Sequence, residues 1–298
     1  MKLSPKQVES YRENGFLIVE GLVSRAELQE LKDDTLKLCR GEYPHPAFPP
    51  LPANLSDNEV LEHYLCLHQV HRISPVMMKY IAHPGMAQVL SQIVAPDVKC
   101  MQSMLFVKPP DFPGQAWHQD ELYIPTRDRS LTGGWIAIDE ATKANGCLWV
   151  VPGSHRTGYL WPQKAHEQPD EFDFAPMSYG FDEREEIPVE VPAGSAVFFN
   201  GYTLHRSRRN RSNIYRRVLV NHYMNAYSLL PWNIPVPQQP VPKHVSAGQA
   251  DFRDVIMVAG KDPYEWKGYT RENGAYARPC EKIKQRQAAE KQLAGASK

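Results

Sequence analysis

The sequence predicts a mainly β protein with flanking helices, its strands arranged as an antiparallel sandwich or barrel. Two observations carry this expectation. From Lys99 onward, short runs rich in β-branched and aromatic residues follow one another, divided by Gly, Pro, Asn and Asp. The 26 prolines and 18 glycines of the 298-residue chain fall largely between such runs, where they act as turn punctuation.

The first element is a helix. Ser4-Pro5-Lys6-Gln7 reads as a capping box with proline at the first helical position, and Gly15 ends the helix. Phe16 to Val19 is a short strand. Ser24 to Glu27 forms a second capping box, opening a helix to about Cys39. The proline-rich stretch 41–57 reads as a loop, and Pro75 to Val94 as helical with an interruption near Pro84. Strands are expected at 99–107, 114–119, 133–139, 147–151, 187–191, 195–200 and 215–225. Residues 161–186 form an acidic, aromatic insertion long enough to serve as a lid, with Trp161, Phe172, Phe174, Tyr179 and Phe181 in it. Beyond the last strand, the proline-rich segment 229–245 should be extended, and 281–298 is a charged tail. The resulting organisation is a single domain over 1–280: N-terminal helices in 1–98, a β core at about 99–226, and an extension over 227–280.

Bulk properties narrow the function classes. The 34 basic and 34 acidic side chains cancel, so the basic excess of a nucleic-acid binder is missing. No run approaches the roughly 18 apolar residues of a membrane span, and the N-terminus lacks the apolar core of a signal peptide. Five scattered cysteines contain no CxxC pair, which predicts neither a zinc knuckle nor a disulfide framework and suits a reducing, cytoplasmic setting.

The chemistry begins at Trp117-His118-Gln119-Asp120. In an extended backbone, residues two apart share a face, so His118 and Asp120 can reach one ion together. His205 supplies a third ligand 87 residues later, near the end of the 195–200 strand. Two histidines and a carboxylate leave adjacent positions open, as iron(II) oxygenases require. An HxD tripeptide alone is common, and a lone strand-end histidine is more often a hydrogen-bonded core or surface residue. Arg216, 11 residues after His205, adds weight: a guanidinium on a neighbouring strand can grip a carboxylate with two parallel bonds. Taken singly, Arg216 and Arg217 read as solvated charges.

The HxD, the distal histidine and the arginine 11 residues on resemble the phytanoyl-CoA dioxygenase family of iron(II)/2-oxoglutarate enzymes. Phe106-Val107-Lys108-Pro109-Pro110-Asp111 before the HxD resembles the family as well. So do Asn145-Gly146-Cys147-Leu148 leading to Val151-Pro152-Gly153-Ser154-His155, and the opening "helix, Gly-Phe-Leu-Ile-Val, helix". The resemblance covers about residues 4–226. It implies a double-stranded β-helix (a jelly roll, cupin-like) with His118, Asp120 and His205 on Fe(II). It further implies that Arg216 and Ser207 bind the far carboxylate of 2-oxoglutarate, with Met104 and Trp135 lining the cosubstrate. Met104 and Trp135 also fit as core residues, and Ser207 as a turn residue. The implied reaction consumes O2 and 2-oxoglutarate, releases succinate and CO2, and hydroxylates an unactivated C–H bond of a small molecule. Desaturation or cyclisation by the same chemistry is an alternative, and a zinc hydrolase on the same ligands is another. Arg216 argues against the hydrolase. Asp120 stands where related halogenases have a small residue, so an oxygenated product is expected.

Two departures accompany the resemblance. Gly194-Ser195 replaces the usual Gly-Asp turn, and no residue of Leu67 to Val70 matches an expected cosubstrate contact. His155 and His222 read as structural histidines, and Cys147 as a buried apolar side chain. Arg206, Arg208, Arg209 and Arg211 read either as a solvated loop or as an attractor for an anionic substrate.

Overall fold

The computed structural model describes residues 1–228, 255–269 and 274–279. The proline-rich segment 229–245 and the tail 281–298 lie outside the described residues. In chain order the elements are α1 (Pro5–Asn14), β1 (Phe16–Val19), α2 (Arg25–Arg40), α3 (Asp57–Leu61), β2 (Tyr64–His68), α4 (Pro75–Ile81) and α5 (Pro84–Ile93). Then come β3 (Val98–Lys108), β4 (Gln115–His118), β5 (Thr132–Ala137), β6 (Leu148–Val150), β7 (Gln163–Lys164), β8 (Met177–Ser178) and β9 (Ile187–Val189). The last are β10 (Ala196–Asn200), β11 (His205–Ser207), β12 (Arg216–Asn225), β13 (Ile256–Ala259) and β14 (Tyr276–Pro279).

The helix boundaries follow from local chemistry. Ser4, Ser24 and Ser56 each close a reciprocal capping box, with Gln7, Glu27 and Glu59 respectively. Gly15 and Gly41 end α1 and α2 in the left-handed conformation. A Cβ on Gly15 would collide with the His155 ring and the Thr203 hydroxyl. His155 Nε2 meets the Arg12 carbonyl at 3.0 Å, the structural role expected of it.

Two antiparallel sheets build the jelly roll. The larger runs β1-β10-β5-β12-β3-β2-β14, with β13 also on β3; the smaller runs β4-β11-β6-β9. The larger sheet is covered on both faces, and the period of two divides its side chains between them. Trp135, Ala137, Val197, Phe199, Val218 and Val220 pack inward against Leu148, Val150 and Val189 of the smaller sheet. Their neighbours Ile136, Phe198 and Leu219 pack outward with the helices, against residues such as Leu31, Tyr80 and Met86.

Several expectations need correction. β2 was not foreseen: its five residues are all buried, so no apolar/polar alternation marks it. The β core is not confined to about 99–226, because β1, β2, β13 and β14 all join the larger sheet. The loop at 41–57 ends in a third capped helix. His205 does not close the 195–200 strand; it opens β11, in the other sheet. His205 and Arg216 are therefore not on neighbouring strands but on the two facing sheets. The insertion at 161–186 holds a two-residue-per-strand hairpin, β7 with β8. Among the described residues no helix is long and apolar enough to cross a membrane.

Candidate active site

β4 and β11 pair so that His118 lies opposite His205. Strand geometry ends at His118, but Gln119 stays extended at φ −128°, so Asp120 still turns to the same side. The residue between the two acts on the other side. Gln119 Nε2 donates to the carbonyls of Tyr159 and Tyr202, and its Oε1 accepts from the Trp161 amide. It thereby ties the insertion and the loop before His205 to the same strand end.

One ligand atom from each of His118, Asp120 and His205 lies within 4.8 Å of the others, and all three residues are buried. Asp120 Oδ1 is 3.6 Å from Nε2 of both histidines. Each ring is held from behind: His118 Nδ1 donates to the Ala116 carbonyl at 2.8 Å and His205 Nδ1 to the Thr203 carbonyl at 2.9 Å. With the proton on Nδ1, both Nε2 lone pairs face the carboxylate, which is the donor set a divalent first-row metal takes. Such a group of buried ligands fits iron(II).

Asp120 has a further partner. His222 on β12 places Nε2 3.1 Å from Asp120 Oδ2. His222, read from the sequence as a structural histidine, holds the carboxylate from the opposite sheet. Burial alone would raise the Asp120 carboxyl, but the facing imidazoles of His205 and His222 hold it below the usual carboxylate range. Burial, reinforced by His205, pushes His118 down from 6.5 to about 3. His68 falls to about 3 through burial and the nearby Arg278. A histidine neutral in the fold but protonated in the unfolded chain favours unfolding as pH falls. This cost is absent above about 6.5 and grows as pH falls toward about 3. The metal-free protein should therefore melt at progressively lower temperature as pH is lowered through that window. A flat melting profile there would contradict the placement of these two rings.

One cavity joins the triad to the remaining predicted residues. It is lined by Met104, Trp135, Ser207 and Arg216 as well as by His118, Asp120 and His205. Gln102, Phe106 and Lys108, which share the Met104 face of β3, line it too. Arg216 is 3% exposed, and its Nε has no partner. No carboxylate pairs with it among the described residues; its recorded neighbour is the Trp135 ring, 5.6 Å from Cζ. Burial lowers its pKa to about 10. Arg217 points the other way and is fully paired, with Nε 2.7 Å from Asp139 Oδ2. A buried guanidinium with no acid paired to it, at a cavity wall, has the chemistry to bond a carboxylate.

The arginines of the basic loop, by contrast, already have acidic partners. Arg206 pairs with Glu183 and Glu186, Arg208 with Glu186, Arg209 with Asp111 and Arg211 with Glu171. Three of those acids belong to the insertion, so the cluster fastens the insertion and leaves little field for an anionic substrate. Phe174, Ala175 and Pro176 of the insertion line the cavity. From the C-terminal side, Tyr276 of β14 stacks on His68 at 4.1 Å, and Arg278 pairs with Asp173 at 2.9 Å. Sequence reasoning missed His68, Tyr276 and Arg278, because their placement depends on the unforeseen pairing of β14 with β2. The four described cysteines are free and buried, Cys147 within the inner core.

A family model described as phytanoyl-CoA dioxygenase matches residues 11–218. Among curated relatives, phytanoyl-CoA dioxygenase 1 of Oryza sativa subsp. japonica is 33% identical over 159 residues, covering 53% of this chain and 56% of that protein. The chain thus spans little more than half the length of the rice relative. A probable phytanoyl-CoA dioxygenase of Caenorhabditis elegans is 29% identical over 240 residues, 75% of this chain and 76% of that one. Among solved structures, the non-haem alpha-ketoglutarate-dependent carbocyclase SnoK from nogalamycin biosynthesis superposes with a TM-score of 0.62 at 20% identity, covering 86% of this chain and 97% of that one.

Proposed function

Because the chain belongs to the phytanoyl-CoA dioxygenase family, and is thus a 2-oxoglutarate-dependent non-haem iron oxygenase, we propose that His118, Asp120 and His205 hold its iron(II) and that Arg216 and Ser207 receive the far carboxylate of 2-oxoglutarate. The observation that carries this reading is the buried, acid-free Arg216 in the same cavity as three convergent ligand atoms. When bound, the iron and 2-oxoglutarate supply the oxidising chemistry: O2 is consumed, succinate and CO2 are released, and an unactivated C–H bond of a small molecule is hydroxylated.

The side chains' own tasks are holding and excluding. The Ala116 and Thr203 carbonyls fix the tautomer and direction of the two imidazoles. His222 stops Asp120 from rotating away. Arg216 and Ser207 set how far a five-carbon dicarboxylate can reach toward the triad, with Trp135 and Met104 along its path. Leu65, Phe106, Ile124 and Phe174 give the remaining wall an apolar character that keeps water from the reacting atoms and suits a partly apolar substrate.

The test is succinate formation with iron(II), 2-oxoglutarate and a panel of small metabolites, in air and without oxygen. Succinate should appear only in air and rise with the true substrate, whose product gains one oxygen atom. Succinate formed without oxygen would contradict the reading, and a product lacking the added oxygen would replace hydroxylation by desaturation or cyclisation.

A further inference from the structure

A second buried cation stands behind Arg216. Lys108 ends β3 directly opposite Arg216 in the β12 register, and it is 4% exposed. Its Nζ donates to Ser207 Oγ at 3.1 Å and to the Arg208 carbonyl at 2.7 Å. No carboxylate pairs with it among the described residues. Gly146 makes room for it: a Cβ there would stand 2.9 Å from Nζ, and the residue holds a φ of +83°.

The consequence lies in the hydroxyl. Ser207 Oγ accepts from Lys108 Nζ and also from the Gln115 amide at 3.2 Å. A hydroxyl oxygen has two acceptor lone pairs and one proton. Both lone pairs are taken, and the proton has no acceptor among the described residues. Ser207 is left as an obligate donor at the cavity wall, beside a guanidinium that also only donates.

We propose that Lys108 is a positioning residue for the anion end of the cavity, turning Ser207 into a fixed donor and adding a second positive charge, so that the site selects a cosubstrate ending in a carboxylate. This rests on Arg216 and Ser207 receiving the far carboxylate. Lys108 also lines the cavity, but its Nζ is engaged with Ser207 and the Arg208 carbonyl, so it acts through Ser207 and through its charge.

The experiment is anaerobic calorimetric titration of the iron(II)-loaded protein with 2-oxoglutarate, comparing Lys108→Met, Ser207→Ala, the double variant and Arg216→Met, with melting temperatures recorded for each. Lys108→Met should raise Kd about tenfold or more. Ser207→Ala should do likewise, and the double variant should be weaker than either single by much less than the product of the two effects. A purely structural lysine would lower the melting temperature without this dependence on Ser207. If Lys108→Met does not fold, Lys108→Gln takes its place in the same cycle. A Kd within about twofold of the parent for the lysine variant, or effects that multiply fully, overturns the proposal. If Arg216→Met binds 2-oxoglutarate weakly while the lysine variant does not, only the role of Lys108 fails. An unchanged Kd in Arg216→Met as well removes the anion site itself.

Discussion

Replacing Arg216 with methionine is expected to weaken 2-oxoglutarate binding by about a hundredfold, or about 2.7 kcal/mol, while leaving the metal-free protein at least as stable as before. The two halves of this result have one cause. Arg216 is 3% exposed, lies over the Trp135 ring, and is unpaired by any acid among the described residues. A buried cation without a partner costs stability, so a methionine of similar volume removes a penalty. The same change removes a charge-assisted, two-pronged grip on the incoming carboxylate. A lower melting temperature combined with unchanged binding would mean that Arg216 serves the fold and not the ligand.

Replacing His118 with alanine is expected to abolish stoichiometric iron(II) binding, with an affinity loss above the roughly 10–100-fold typical of losing an outer-shell partner. His118 Nε2 is one of three ligand atoms within 4.8 Å, and its Nδ1 proton is already committed to Ala116. No other described side chain completes the set, and His222 is engaged with Asp120 Oδ2. His222→Leu should fall in the smaller, outer-shell range, because it frees Asp120 without deleting a ligand. Equilibrium dialysis with iron(II) under nitrogen separates the two variants. Equal losses would show that His222 binds the metal itself.

The parts of the site legible in the sequence are those set by short spacing. His118 and Asp120 are two residues apart in extended backbone, and Arg216 follows His205 by 11 residues, so local periodicity and one motif carry them. The capping boxes at Ser4 and Ser24 were legible for the same reason. What stayed hidden are partnerships between residues about a hundred positions apart. The Lys108–Ser207 and His222–Asp120 bonds leave no local trace, since each depends on which strands face one another. The acidic insertion and the basic run at Arg206–Arg211 were each visible, but not that they neutralise each other. β2 lacked alternation because both its faces are covered, and without it the position of β14, with Tyr276 and Arg278 over the cavity, could not be foreseen.

The most direct test of the central claim is an anaerobic crystal structure with iron(II) and 2-oxoglutarate, the metal located by its anomalous scattering. The account predicts the iron peak within bonding distance of His118 Nε2, His205 Nε2 and Asp120, and the far carboxylate against Arg216 and the Ser207 hydroxyl. Iron bound elsewhere, or a carboxylate that leaves Arg216 unpaired, would contradict it.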